Sequence, residues 1–572
     1  MKVVIIGGVA GGATAAARIR RLDENADIVV FEKTGYISYA NCGLPYYIGG
    51  VIEDEAELTL QTPASFWQRF RIDMRVNHEV IKIDSDRKTV EVRNLISGDV
   101  FEESYDKLLI STGASPVKPE LPGMDDERFL SLRTVEDTFK IRKYVDDNKP
   151  KSAVIIGGGF IGVEVAENLR EMGMDVTIVQ RPDQLMNPFD RDMASFIHGE
   201  MRRHGVELKL GRNVEGFERS AVGKEDSGYE MIKVLLDDGS YINTDMVVLA
   251  IGVVPDSRIA KEVGIETGIK GSIVVNDRME TSKPDIYAVG DAVEVKHFIT
   301  GQKALISLAG PANKQGRIAA DNICGGDSVF KGSQGSSVIK IFDMTAASTG
   351  INEKTAKAQG IDYDKVYLAP MSHAGYYPGG SIMSMKVIFE KGTYKLLGAQ
   401  ITGYEGVDKR IDVLATAMHA GLSAFCLKDL DLAYAPPYSS AKDPVNMAGF
   451  MIDNIAEGRL KQFFWDEADS LPRDGSVVLL DCRTPEEYSY GHMEGFINIP
   501  VDELRSRIDE LPKGKPVYVH CQSGLRSYIG CRILEGNGFD CYNLSGGYRL
   551  YEAVKSDKAA AKQAMPCGLE KQ

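Results

Sequence analysis

Two cysteines stand out by what surrounds them. Cys42 lies in the run Ser38-Tyr39-Ala40-Asn41-Cys42-Gly43-Leu44-Pro45-Tyr46, and the position five residues on is Tyr47, not a second cysteine. A lone thiol closes no local disulfide, so its redox partner is oxygen, as a sulfenic acid, or an external thiol, as a mixed disulfide. Free cysteines are commonly buried and inert, and Cys324 and Cys426 are read that way. Asn41-Cys42-Gly43 opening a helix is a different setting, because a helix N-terminus lowers a thiol pKa. Cys521 lies in Val519-His520-Cys521-Gln522-Ser523-Gly524-Leu525-Arg526-Ser527, a strand, a six-residue loop and a helix start. Such a loop aims backbone N–H groups inward at a thiolate or persulfide on Cys521. Gly524 permits the curl, and Arg526 adds a cation for an anionic sulfur donor. A phosphatase loop has a similar form.

These cysteines need a source of electrons, and two glycine turns supply the place for it. In Gly157-Gly158-Gly159-Phe160-Ile161-Gly162 the first, third and sixth glycines complete a dinucleotide fingerprint between a strand and a helix. Gly157 makes the turn, Gly159 lets the backbone approach a pyrophosphate, and Gly162 permits close helix–strand packing. The N-terminal copy uses Gly7, Gly8, Gly11 and Gly12, with Val9 in the middle position and Ala10 beside it. Glu32, followed by Lys33, ends the next strand and is placed to accept hydrogen bonds from a ribose diol. At the matching place in the second unit the chain reads Val179-Gln180-Arg181. Gln180 with Arg181 tolerates a 2′-phosphate that a carboxylate would repel, so NADPH is expected to be accepted and NADH is not excluded. Ile286 to Asp291 is a buried strand ending in Gly290-Asp291, where the Asp can grip the ribityl chain of a flavin. Thr112-Gly113 and Gly252 close two further strand ends.

Together these segments resemble the flavoprotein disulfide reductases over residues 1–450. The resemblance implies FAD in the N-terminal fold, the nicotinamide in the inserted fold, and a third domain that makes a homodimer. Ordinary members carry the second cysteine that is absent here. The run around Cys42 is most similar to the single-cysteine coenzyme A disulfide reductases. Oxygen-handling relatives, the NADH oxidases and peroxidases that work through a cysteine sulfenic acid, place a histidine in the first turn where this chain has Ala10. Thr14 through Arg21, Tyr376-Tyr377-Pro378-Gly379 and Tyr434 to Tyr438 leading to Lys442 also match the coenzyme A branch. The resemblance implies that Tyr376 and Tyr434 reach the active site from the partner subunit, where phenols stabilise or protonate a leaving thiol. It further implies coenzyme A contacts at Thr14, Arg18, Arg21, Ser38, Asn41 and Lys442. Asn313 stands where a relative has a substrate-contacting histidine, and Arg69 and Arg71 flank a place where another has a basic residue.

Asp481-Cys482-Arg483, then Glu487-Tyr488, Gly491-His492 and the Cys521 loop resemble a rhodanese domain, in which His492 and Asp481 pin loops through hydrogen bonds. Cys482, Cys531 and Cys541 have no partner legible in the sequence.

The elements that must position these groups give an α/β fold: two Rossmann-like dinucleotide-binding domains, an α+β dimerisation domain and a C-terminal rhodanese-like α/β domain. The expected boundaries are FAD-binding 1–150 and 276–329, NAD(P)H-binding 151–275, dimerisation 330–450, linker 451–474, rhodanese-like 475–556 and a frayed tail 557–572. The 572 residues carry 67 basic against 82 acidic side chains, a net charge of −15, which disfavours nucleic acid or an anionic membrane as partner. No apolar run reaches the roughly 20 residues of a membrane span. Eight scattered cysteines without metal or disulfide spacing fit a reducing cytoplasm. The expected chemistry is NAD(P)H-driven reduction, through FAD and Cys42, of coenzyme A disulfide, coenzyme A persulfide or polysulfide, with Cys521 relaying sulfane sulfur. A sulfur-carrier protein is the alternative outside oxidoreductase chemistry.

Overall fold

The computed structural model describes residues 1–124, 126–220 and 230–563. The chain forms two compact units. One comprises Met1–Asp183 and Gly205–Gly335, and the other Gln184–His204 and the chain from Ser336 onward.

The first unit holds two parallel five-stranded sheets. In the N-terminal one the order is Ile286–Ala288, Lys107–Ile110, Lys2–Ile6, Asp27–Glu32, Asp73–Val76. The strands are apolar and β-branched because both faces are covered, as a parallel sheet requires; Val3, Val4 and Ile5 are all fully buried. The second sheet runs Phe129–Ser131, Met246–Leu249, Ser152–Ile156, Asp175–Gln180, Glu207–Leu210. In each, a central strand runs into a glycine turn and then a helix, Ala10–Leu22 in the first and Phe160–Glu171 in the second. The turns demand glycine sterically. A Cβ on Gly12 would sit 1.9 Å from the Gly7 carbonyl oxygen, and one on Gly162 would sit 2.0 Å from that of Gly157. Helix Ala309–Ile323 crosses the first helix so closely that a Cβ on Gly316 would meet the Gly11 oxygen at 2.4 Å.

The second unit contains an antiparallel sheet ordered Ser337–Ile341, Met344–Gly350, Leu396–Gly403, Ser384–Glu390, Tyr363–Leu368. It also contains a parallel sheet ordered Gln462–Phe463, Cys541–Leu544, Val517–His520, Val478–Asp481, Ile497–Asn498. Lys386, fully buried, pairs with Asp190 at 2.8 Å, Asp192 at 3.0 Å and Glu353 at 2.5 Å, and so ties helix Arg191–Arg203 to the antiparallel sheet.

Two expected boundaries are corrected. Gln462–Phe463 pairs in parallel with Asn543 and Leu544, so the last sheet begins inside the segment read as a linker. The supposed tail is helical through Gln563, and Asp557 within it is buried against Arg191, His198 and Arg202. An acidic anchor in an Ala/Lys-rich run is invisible until its basic partners, more than 350 residues away, are brought to it. Residues 564–572 of the expected tail lie outside the described residues. No helix among the described residues is long and apolar enough to cross a membrane.

Candidate active site

A cavity of about 300 Å³ opens at the C-terminal ends of the first sheet, where ligands bind in doubly wound folds. Gly7, Ala10, Gly11, Glu32, Lys33, Asn41, Thr112, Gly113, Gly290 and Asp291 line it, which brings together ten of the residues singled out in the sequence. Its shape depends on missing side chains: a Cβ on Gly7 would stand 2.2 Å from the Ser111 carbonyl oxygen, and one on Gly11 2.9 Å from Val289. Glu32 is locked in place. Its Oε2 accepts from Gly8 N–H at 2.8 Å, and its Oε1 accepts from the Thr34 N–H and hydroxyl, each at 2.9 Å. Asp291 has Arg133 3.6 Å away, yet burial pushes its carboxyl above the ordinary range despite that cation. A carboxylate fixed at the strand end for a ribose, a glycine turn for phosphates and a half-buried Asp at the far end fit FAD.

The second turn repeats the arrangement with a neutral residue. Gly158 N–H donates to Gln180 Oε1 at 2.9 Å, the counterpart of the Gly8–Glu32 bond. Arg181 next to it is exposed. Gly157 and Gly252 both take φ of +112°, and Gly159 has open space around it, which leaves room for a pyrophosphate at the start of helix Phe160–Glu171.

Cys42 is exposed, in a short 3₁₀ turn Asn41–Gly43 that leads into helix Leu44–Ile48. The expected depression of its pKa by a helix end is corrected. Burial, then Glu164, then Asp291 push the Cys42 thiol up. A helix of five residues offers little dipole, while partial desolvation and two carboxylates both disfavour a thiolate. Glu164 itself is raised to about 7 by burial and by Glu167. No motif position in the sequence marks it. The signal was its place one turn into the helix after Gly162, on the element against which Leu44–Ile48 packs. The packing is close: a Cβ on Gly49 would lie 2.0 Å from Asn168 Oδ1.

In the second unit the Cys521 loop forms as expected. Cys521 Sγ accepts from Gly524 N–H at 3.1 Å and from the Ser527 hydroxyl at 3.3 Å, with Gly524 at φ +98°. Arg526 does not lie loose beside the sulfur: its guanidinium makes two hydrogen bonds, 2.7 and 2.6 Å, to the Glu487 carboxylate. That pairing holds Glu487 down at about 2. His492 stacks on Tyr488 at 3.9 Å, and Asp481 binds Arg483 at 2.8 Å, both loop-pinning contacts.

The family model for pyridine nucleotide-disulphide oxidoreductases matches residues 1–316, its dimerisation domain residues 336–444, and a rhodanese-like domain residues 464–553. The chain is a pyridine nucleotide-disulphide oxidoreductase. A coenzyme A disulfide reductase of Staphylococcus aureus (strain JH9) is 38% identical over 450 residues, 78% of this chain and 99% of that protein. The structure of reduced Bacillus anthracis CoADR-RHD is 47% identical, covers 97% of this chain and 98% of its own, and superposes with a TM-score of 0.93. An NAD-dependent persulfide reductase from A. fulgidus is 39% identical, covers 96% and 100%, and has a TM-score of 0.89.

Within this oxidoreductase the remaining expected residues fall into two groups. Thr14 donates its hydroxyl to Asn313 Oδ1 at 2.5 Å, so two of the expected coenzyme A contacts meet on neighbouring helices. Tyr376 and Tyr434, 58 residues apart in sequence, join hydroxyl to hydroxyl at 2.8 Å, both exposed. Ser38, at φ 44°, donates its N–H to the Gly8 carbonyl at 2.9 Å and so fixes the approach to Cys42. The second group stands apart. Arg18 pairs with Asp321 at 2.7 Å, Arg71 caps a helix and lies over Trp67, and Arg21, Arg69 and Lys442 are exposed.

Proposed function

We propose that this chain is an FAD-dependent NAD(P)H reductase of coenzyme A disulfide and coenzyme A persulfide or polysulfide, working as a homodimer through Cys42. The observation that carries it is an exposed thiol with Tyr47 where a second would stand, one residue from Asn41 on the wall of the nucleotide cavity. FAD, when bound, supplies the two-electron relay between NAD(P)H and this sulfur. Cys42 attacks one sulfur of the acceptor, forming a mixed disulfide and expelling coenzyme A thiolate from the disulfide, or sulfide from the persulfide. The thiol starts above its ordinary pKa, so the proton it gives up needs an acceptor, and Glu164, poised at about 7, can hold it. The Tyr376–Tyr434 pair, contributed by the partner subunit, donates a proton to the departing coenzyme A sulfur. Thr14, Asn313 and Ser38 orient the pantetheine end, and Arg21, Arg69 and Lys442 are the exposed cations for its phosphates. Asn41 borders both sites.

A coenzyme A disulfide reductase and a persulfide reductase among the relatives support this reading. Its test is a steady-state comparison of coenzyme A disulfide, coenzyme A persulfide, polysulfide and oxygen as acceptors, with Cys42→Ser alongside. The sulfur acceptors should dominate, and the variant should keep FAD and its reduction by NAD(P)H while losing turnover. Oxygen as the best acceptor, or full turnover in the variant, would overturn it.

A further inference from the structure

We propose that Cys482 is a resolving thiol for Cys521: it attacks the Cys521 persulfide, expels hydrosulfide and leaves a Cys482–Cys521 disulfide inside the rhodanese-like sheet. The geometry comes from the strand register. Val478–Asp481 and Val517–His520 run parallel with Leu480 opposite Val519 and Asp481 opposite His520. The Cys482 N–H continues that ladder, donating to the His520 carbonyl at 2.8 Å. Cys482 and Cys521 are therefore the next pair in register. Parallel strands lie about 4.8 Å apart, inside the roughly 4.4–6.8 Å Cα separation that a disulfide spans.

The side chains share a face as well as a rank. Leu480, Cys482, Val519 and Cys521 belong to one apolar cluster beneath helix Leu525–Glu535. That helix locates both sulfurs. Ser527 donates to Cys521 Sγ, and one turn further on a Cβ at Gly530 would stand only 3.1 Å from Cys482 Sγ. Residues three apart lie on the same helix face, so the two thiols sit under adjacent turns of one helix. The glycine at 530 leaves the space in which Cys482 Sγ sits.

The step balances without an added reductant. A sulfane donor such as thiosulfate leaves its outer sulfur on Cys521 as a persulfide anion and departs as sulfite. Cys482 sulfur then bonds to Cys521 sulfur while the bond from Cys521 to the outer sulfur breaks. The electron pair of that bond leaves with the outer sulfur, which takes the Cys482 proton and departs as hydrosulfide. The two cysteines are oxidised to a disulfide, and the sulfane sulfur is reduced to sulfide. Burial, then Cys521 and Asp481, push the Cys482 thiol up, so its proton passes to the outer persulfide sulfur as the Cys482 sulfur becomes the attacking thiolate. Two coenzyme A thiols can reopen the disulfide, giving coenzyme A disulfide. This return leg rests on the function proposed above, because Cys42 would then consume that product.

The test uses the full-length protein without nucleotide or coenzyme A, in wild-type and Cys42→Ser backgrounds, so that its outcome is independent of Cys42 chemistry. Reduced, desalted protein is treated with thiosulfate, and released hydrosulfide and intact mass are followed. We expect one hydrosulfide per chain and a mass lower by the hydrogens of one disulfide, mapped by peptide analysis to Cys482 and Cys521. Cys482→Ala, and Cys482→Val to refill the core, should instead retain one extra sulfur on Cys521; a thermal melt of each checks folding. A wild type that keeps the extra sulfur as the variants do would overturn the proposal. So would a disulfide mapped to Cys531 and Cys541, or the absence of both sulfur and disulfide from every form.

Discussion

Replacing Gln180 with Glu should turn cofactor choice toward NADH. The native side chain ends its strand with Oε1 on the Gly158 N–H at 2.9 Å, and Glu32 makes the same bond to Gly8 at 2.8 Å. A glutamate at 180 is isosteric, keeps the backbone bond and adds charge to it, so the turn itself should be unperturbed. What changes is the charge presented to the adenosine ribose. Two unit charges about 4 Å apart interact by about 4 kcal/mol at an effective dielectric of ~20. The edge of this site is open, with Arg181 exposed beside it, so screening brings the effect on a 2′-phosphate to about 1–3 kcal/mol. That is roughly 5- to 150-fold in the ratio of kcat/KM for NADPH over NADH. The assay is NAD(P)H oxidation at saturating coenzyme A disulfide with each nucleotide varied, with Arg181→Ala as a second variant that should also lower the NADPH term. An unchanged ratio in Gln180→Glu would refute the assignment of this strand end to the 2′ position.

Cys521→Ser should leave coenzyme A disulfide reduction intact and impair only thiosulfate- or polysulfide-driven NAD(P)H oxidation; equal losses with every acceptor would count against separate chemistry at the two cysteines. Glu164→Gln should shift the pH profile of Cys42 alkylation by iodoacetamide to lower pH. Above about 7 the native Glu164 is ionised and opposes the thiolate, and the amide removes that charge, so a profile identical to wild type would dismiss the coupling. Asp557→Asn should destabilise the docking of the last helix by about 3–5 kcal/mol, because it leaves Arg191 and Arg202 without their buried counter-charge. Burial alone would raise the Asp557 carboxyl, but His198, then Arg202 and Arg191, hold it below its usual range. Its stabilisation is therefore complete above the unfolded carboxylate pKa of about 3.9 and lost as pH falls below it. The variant's unfolding midpoint should accordingly be flatter than the wild type's across that acid range in a chemical-denaturation series.

Much of this molecule is local in origin and was legible for that reason. A glycine turn between a strand and a helix is specified by its own few residues, since each glycine answers a clash within the turn or with the adjoining strand end. Gly12 against Gly7, Gly162 against Gly157, and the strand-ending Glu32 and Gln180 needed no distant partner to be read. The Cys521 loop was equally readable, because a tight loop before a helix is a short-range object. What tertiary structure decided are the quantities set by neighbours from elsewhere in the chain. The Cys42 thiol is raised rather than lowered because tertiary packing desolvates it and because Glu164 and Asp291, neither near it in sequence, add like charge. Arg526 is committed to Glu487, Asp557 anchors a helix that looked frayed, and Tyr376 finds Tyr434 across 58 residues. Cys482 had no legible partner until parallel strand register placed its N–H on the His520 carbonyl, one residue before Cys521. Side-chain type and spacing declare which chemistry a segment can carry. Electrostatics and pairing depend on separations in space, and only the fold fixes those.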